Sequence, residues 1–88
     1  MKYIVVWAPS AENRLAQIWL SARIRDLITA SAKDLERELE IHPLEMGESR
    51  EFSRRIFLAP PLGVLYSVNA GKRSVRVLRV WEIKPPKR

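Results

Sequence analysis

The sequence predicts an α+β domain in the order βααβββ, an antiparallel sheet of about four strands covered on one face by a helical hairpin. Three observations lead there. A β-branched and aromatic run opens the chain and is stopped by Ala8-Pro9-Ser10. A segment without glycine or proline follows from Ala11 to Ile41, and the phase of its apolar residues changes midway. Three strand-length apolar runs then close the chain, separated by Ala59-Pro60-Pro61 and Asn69-Ala70-Gly71.

The first strand is Lys2 to Trp7 (KYIVVW), and Ser10 is the expected N-cap of the first helix, with Glu12 and Asn13 in its first turn. At about 100° per residue, Ala11, Leu15, Ile18, Trp19 and Ala22 share one helical face. Ile24, Leu27, Ile28, Leu35 and Leu39 share another, rotated by roughly 150–210°. One straight helix would bury opposite sides of its two halves. A break at Leu20 to Arg23 lets both stripes cover the same sheet. The second helix ends at His42-Pro43, because the residue before proline is driven out of the helical region.

Leu44 to Ser49 reads as a loop, Phe52 to Leu58 as the second strand, Leu62 to Val68 as the third and Val75 to Trp81 as the fourth. Short connections make the last three an antiparallel meander. In the third strand Leu62, Val64, Tyr66 and Val68 face the helices, and Gly63, Leu65 and Ser67 floor the opposite face. Arg76 and Arg79 fall on opposite faces of the fourth strand unless a bulge intervenes. Residues 1–83 form the expected domain, and the proline-interrupted residues 84–88 (KPPKR) a flexible basic tail.

Composition narrows the function. The 88 residues carry a net charge of +6, distributed unevenly. From Arg50 onward there are ten Lys and Arg against two Glu, whereas residues 1–49 hold six basic and eight acidic side chains. Such asymmetry points to an anionic partner. With no cysteine and a lone His42, neither a thiolate nor a histidine metal site can be built, and no cofactor is expected. No apolar run approaches the roughly twenty residues of a bilayer span, so the expectation is a cytoplasmic protein without a membrane partner. No paired carboxylates at a readable spacing and no phosphate-binding glycine loop occur.

The element order, together with the VVW strand, LAQIW in the first helix, HPLEMGESR at the helix-to-strand link, PLGVLYSV and VRVLRVW, resembles the RelE/ParE superfamily of bacterial type II toxins. The similarity runs from about Tyr3 to Trp81. It implies a small basic toxin neutralised by a cognate antitoxin. RelE-like members cut mRNA on the ribosome without a metal; ParE-like members poison DNA gyrase. The nuclease chemistry needs cations beside the phosphate and groups that move protons. By the resemblance, Arg54 matches one basic position of the second strand. A second basic position falls on Ile56, and the arginine that opens the third strand falls on Gly63. Beyond the fourth strand Lys84 is the nearest basic side chain.

The resemblance therefore implies a ParE-like, gyrase-directed or degenerate toxin. The alternatives are a RelE-like endoribonuclease acting on ribosome-bound mRNA and a non-toxic nucleic-acid or protein binding module. Whether the chain is an enzyme stays open. The candidate target-binding set is Arg50, Arg54, Arg55, Arg76, Arg79 and Lys84. Strand alternation with Phe52, Ile56 and Leu58 puts Arg54 inward and Arg55 outward, whereas the resemblance puts Arg54 on the open face. The bland reading of each arginine is a solvated strand residue. Trp7 and Trp19 read as core, Trp81 equally as core or base platform, and His42 as a capping residue.

Overall fold

The structure, a computed structural model, describes residues 2–45, 48–50 and 54–83. Its elements are β1 (Ile4–Trp7), α1 (Pro9–Ser21), α2 (Arg25–Ile41), β2 (Glu48–Arg50), β3 (Arg54–Ala59), β4 (Leu62–Asn69) and β5 (Ser74–Glu82). One sheet, ordered β1-β5-β4-β3-β2, is covered by the two helices. The expected α+β layering and the break between the helices are both present. The sheet, however, is mixed: β1 runs parallel to β5, while the other neighbours are antiparallel. The helical hairpin returns the chain to the far edge as β2, antiparallel to β1, and the three reversals that follow bring β5 back parallel to β1. A fifth strand also forms, because Glu48 and Ser49 of the expected loop, together with Arg50, pair with β3.

α1 starts two residues earlier than expected. Ala8 is its N-cap and Pro9 its first residue, where a missing N–H costs nothing and the fixed φ suits the helix, so Ser10 does not cap it. The helix stops at Ser21, and Ala22 and Ile24 take extended backbone. Arg25 closes the turn. Its guanidinium donates to the carbonyls of Trp19 and Leu20 at 3.2 and 3.1 Å and lies 4.6 Å from the Trp19 ring centroid. Two carbonyls of the last α1 turn thus gain a charged donor, that of Trp19 in addition to the Ala22 N–H. Trp19, expected in the core, instead borders solvent and donates its indole N–H to Thr29 Oγ1 at 3.1 Å.

The core lies between the helices and the inner face of β4 and β5. Ala11, Ile18, Ile28, Leu35 and Leu39 from the helices meet Leu62, Val64, Tyr66, Val75, Val77 and Val80. The strand-two alternation is corrected here. Phe57 and Ala59, opposite Val64 and Leu62, pack toward the core, whereas Leu58, opposite Gly63, is 56% exposed. The run Ile56-Phe57-Leu58 is apolar on both sides, so its own pattern carries no phase and the pairing with β4 decides it.

Polar contacts fix the helices to the sheet. Trp7 Nε1 donates to Glu36 Oε1 at 2.7 Å, and Ser31 Oγ to the Ala59 carbonyl at 2.9 Å. The Tyr66 hydroxyl donates to the Pro43 carbonyl at 2.8 Å, anchoring the exit of α2 on the central strand. His42, as expected, is the C-cap, with Nδ1 3.3 Å from Glu45.

Burial raises the Tyr66 pKa above its ordinary 10.0, partly offset by hydrogen bonding and attraction to Arg55. A raised folded pKa means that the neutral phenol is favoured in the folded state. Its stabilisation is complete below the unfolded value and is lost as pH rises through the folded value. Tyr66→Phe should therefore lower stability at neutral pH by about 1–2 kcal/mol. It should also flatten the alkaline limb of the stability–pH curve relative to the parent, as measured by urea unfolding between neutral pH and strongly alkaline buffer.

Candidate target-binding face

The sheet face away from the helices is built from three rows across the strands. Cross-strand pairs project to the same side, and successive rows are two residues, about 7 Å, apart. The first row is Arg54–Ser67–Arg76, the second Ile56–Leu65–Arg79 and the third Leu58–Gly63–Trp81. Val64 and Tyr66 are fully buried on the opposite side, which places Gly63, Leu65 and Ser67 on the open face, as the sequence predicts.

Arg76 and Arg79 reach the same face through a bulge. Leu65 pairs with Arg79 and Tyr66 with Val77, so Leu78 is the extra residue. Val77 and Val80 consequently both point into the core, three positions apart. A straight strand with Val77 inward would also turn Arg79 inward, at the cost of an unpaired buried charge. The signal is readable in V-R-V-L-R-V, where two arginines three apart are each preceded by an apolar residue and followed by valine.

Arg54 thus joins Arg76 and Arg79, whereas Arg55, opposite Tyr66, lies on the helix side and interacts with that phenol. Alternation inferred within strand two had reversed them. Arg50 pairs in backbone register with Arg54 at the β2 edge; Lys84 lies outside the described residues. Arg54, Arg76 and Arg79 make no ion pair among the residues whose side chains are described. At two strand spacings, about 10 Å, Arg54 and Arg76 flank the Ser67 hydroxyl from either side, and Arg79 lies on the same face.

Two features escape a reading of the sequence alone. Arg14 of α1 shares a shallow depression with Ser10 and Arg79, because β1 ends at Trp7 and leaves the continuing β5 edge to the helix. Gly63 is also the seat of Trp81. A Cβ built there would lie 2.6 Å from the indole Cε2 and Nε1 atoms, so the ring packs directly on the glycine backbone. Trp81 therefore covers the position where the resemblance expects a nuclease arginine. Around it the open face of β1, β3, β4 and β5 offers guanidinium groups, hydroxyls and the Asn69 amide, and at the β2 edge Glu48 and Arg50 pair in register with Ile56 and Arg54. Such a surface can bind and orient an anion.

A second concavity lies on the helical layer. Leu15, Ala16, Trp19, Ile28 and Ala32 line a cleft of about 400 Å³ between α1 and α2, with Glu12, Lys33 and Glu36 also along it. The described helices include none long and apolar enough to cross a membrane.

Substituting Gly63 tests the seat of Trp81. Gly63→Ala should destabilise by about 1–3 kcal/mol by forcing the indole off the sheet. In a Trp81→Ala background the same change should cost markedly less. A double-mutant cycle by denaturant unfolding that finds the two costs additive would contradict this packing.

No protein-family model matches the chain, and no curated protein matches it by sequence. Its fold is shared with solved toxin–antitoxin proteins. The chain is similar to a structure of the RelBE2 toxin–antitoxin complex of Mycobacterium tuberculosis, with TM-score 0.75 and 20% identity over 93% of this chain and 92% of that one. It is also similar to the archaeal RelE–RelB complex of Pyrococcus horikoshii, with TM-score 0.70 and 14% identity over 98% and 100%. For the chromosomal ParDE system of P. aeruginosa the values are TM-score 0.64 and 13% identity over 93% and 97%. At these identities the likeness establishes a common fold, one represented in both RelE- and ParE-named systems.

Proposed function

We propose that this chain is the toxin component of a type II toxin–antitoxin pair and that it engages its target through the open face of the sheet by binding, without cutting RNA. The observation that carries this reading is the composition of that face. Arg54, Arg76 and Arg79 stand together without a counter-ion among the described side chains, and Trp81 occupies the space above Gly63. Transesterification by a ribose hydroxyl requires proton transfer at attack and departure, whereas the open face of β1, β3, β4 and β5 carries guanidinium, hydroxyl, amide, aromatic and aliphatic side chains. A ParE-like, gyrase-directed activity fits a surface that holds an acidic protein target through charge. The shared fold with RelBE and ParDE proteins supports an antitoxin partner.

In this reading the antitoxin neutralises the chain by contributing acidic groups to the arginine face and an apolar segment to the cleft between α1 and α2. A second reading, ribosome-dependent mRNA cleavage, draws on the row Arg54–Ser67–Arg76, whose paired guanidinium groups suit a phosphate.

Inducing the chain alone in bacteria should arrest growth, and coexpressing the adjacent small reading frame should relieve it. The combination Arg54→Ala, Arg76→Ala and Arg79→Ala should abolish the arrest in soluble, folded protein, while Arg55→Ala, on the other side of the sheet, should retain it. DNA-damage induction with gyrase-linked breaks is the expected signature. New mRNA 5′ ends by primer extension would assign the activity to the second reading, and unimpaired growth with verified soluble protein would refute the toxin assignment.

A further inference from the structure

β1 is shorter than the strand it pairs with. Past its end the Ala8 N–H donates to the Val77 carbonyl at 2.8 Å, and the chain then turns into α1. From Leu78 onward this edge of β5 therefore faces the first turns of the helix instead of another strand. The two elements enclose a shallow depression of about 370 Å³, lined by Ser10, Ala11 and Arg14 of α1 and by Leu78, Arg79 and Val80 of β5. Ala11 and Val80 are buried, whereas Ser10, Arg14 and Arg79 are exposed around them.

Three donors converge there from two walls. Ser10 and Arg14 are four residues apart and share one helical face, while the Leu78 bulge brings Arg79 to the opposite wall. No carboxylate lines the depression. Glu12 and Glu82, the acids nearest in sequence, line the interhelical cleft and a hollow at the hairpin tip instead. Neither arginine forms an ion pair among the described residues, and Arg14 Nη1 donates to the neutral amide oxygen of Gln17 at 3.3 Å. Two cations beside one depression favour an anion between them. The spread of the donors indicates its shape. A planar carboxylate is satisfied by the fork of a single guanidinium, whereas two guanidinium groups from opposite walls and a hydroxyl suit a tetrahedral oxyanion, whose oxygens point in several directions.

We propose that Ser10, Arg14 and Arg79 form a subsite for a phosphate group, carried by a nucleic-acid backbone or as free phosphate. Arg79 also belongs to the open sheet face, so a ligand with several phosphates can reach from the subsite onto that face. This does not rest on the toxin reading.

Nuclear magnetic resonance of the full chain, titrated at constant ionic strength with inorganic phosphate and separately with a short oligothymidylate, tests the subsite. Saturable shifts of the Arg14 and Arg79 Nε–H signals and of the Ser10 amide are expected with both probes. Tighter binding of the oligothymidylate identifies a nucleic-acid backbone as the source of the phosphate, and equal binding identifies free phosphate. Arg14→Gln, at an exposed helix position, should keep the circular dichroism spectrum of the parent and weaken both probes by about 10-fold or more. Arg14→Lys retains the charge without the planar fork and should recover only part of that loss. Arg37→Gln removes the same charge from an exposed position of α2 outside the depression and should bind as the parent does. A titration without saturable shifts at Arg14 and Arg79 overturns the proposal. So does an equal loss in Arg37→Gln, which would make net charge the determinant. An oligoglutamate that shifts the same signals and binds as tightly as the oligothymidylate overturns it as well, since the depression would then be a carboxylate site.

Discussion

The pairing of β4 with β5, offset by one residue at Leu78, is the constraint on which the basic face depends. β4 contributes Leu62, Val64 and Tyr66 to the core, and β5 must match them with valines. Val75 and Val77 do so in simple alternation; Val80 does so only because the bulge absorbs Leu78. Core packing and charge solvation favour the same offset. Burying Val80 and keeping Arg79 in water both require it, so one local irregularity serves the interior and aligns the cations outside.

That alignment changes the chemical reading of the chain. Evenly dispersed arginines would be solvated strand residues whose stems cover apolar surface. Gathered on one face around Ser67 and left without a counter-ion among the described side chains, Arg54, Arg76 and Arg79 form a field suited to an anionic surface. Trp81 on Gly63 gives the same face a large apolar element at one end. The face thus carries three guanidinium groups and one large aromatic ring.

The three concavities differ in chemistry. The depression beside Arg14 and Arg79 extends the basic face over the β5 edge. The cleft between α1 and α2 is largely apolar and suits an inserted segment of another protein. The hairpin-tip hollow is lined by Ala22, Ile24, Leu27, Pro61 and Ile83 together with Arg23 and Glu82. In the proposed reading, target and antitoxin would share the arginine face, and the antitoxin alone would enter the cleft.

Much of the architecture is set locally. The phase reversal between Ala22 and Ile24, the proline after His42 and the alternation in Leu62–Val68 determine the helical hairpin, its end and the orientation of the central strand. They do so because helical and strand periods are properties of adjacent residues. The clustering of charge after Arg50 is likewise visible in composition. Tertiary structure alone decided which arginines act together. Ile56-Phe57-Leu58 has no phase of its own, so Arg54 and Arg55 were assigned their sides by the β3–β4 register. The parallel place of β1, the short β2, the approach of Arg14 to Arg79 and the seat of Trp81 on Gly63 all join residues far apart in the chain. Their positions follow from closing one sheet over one core, a condition that no local stretch of sequence contains.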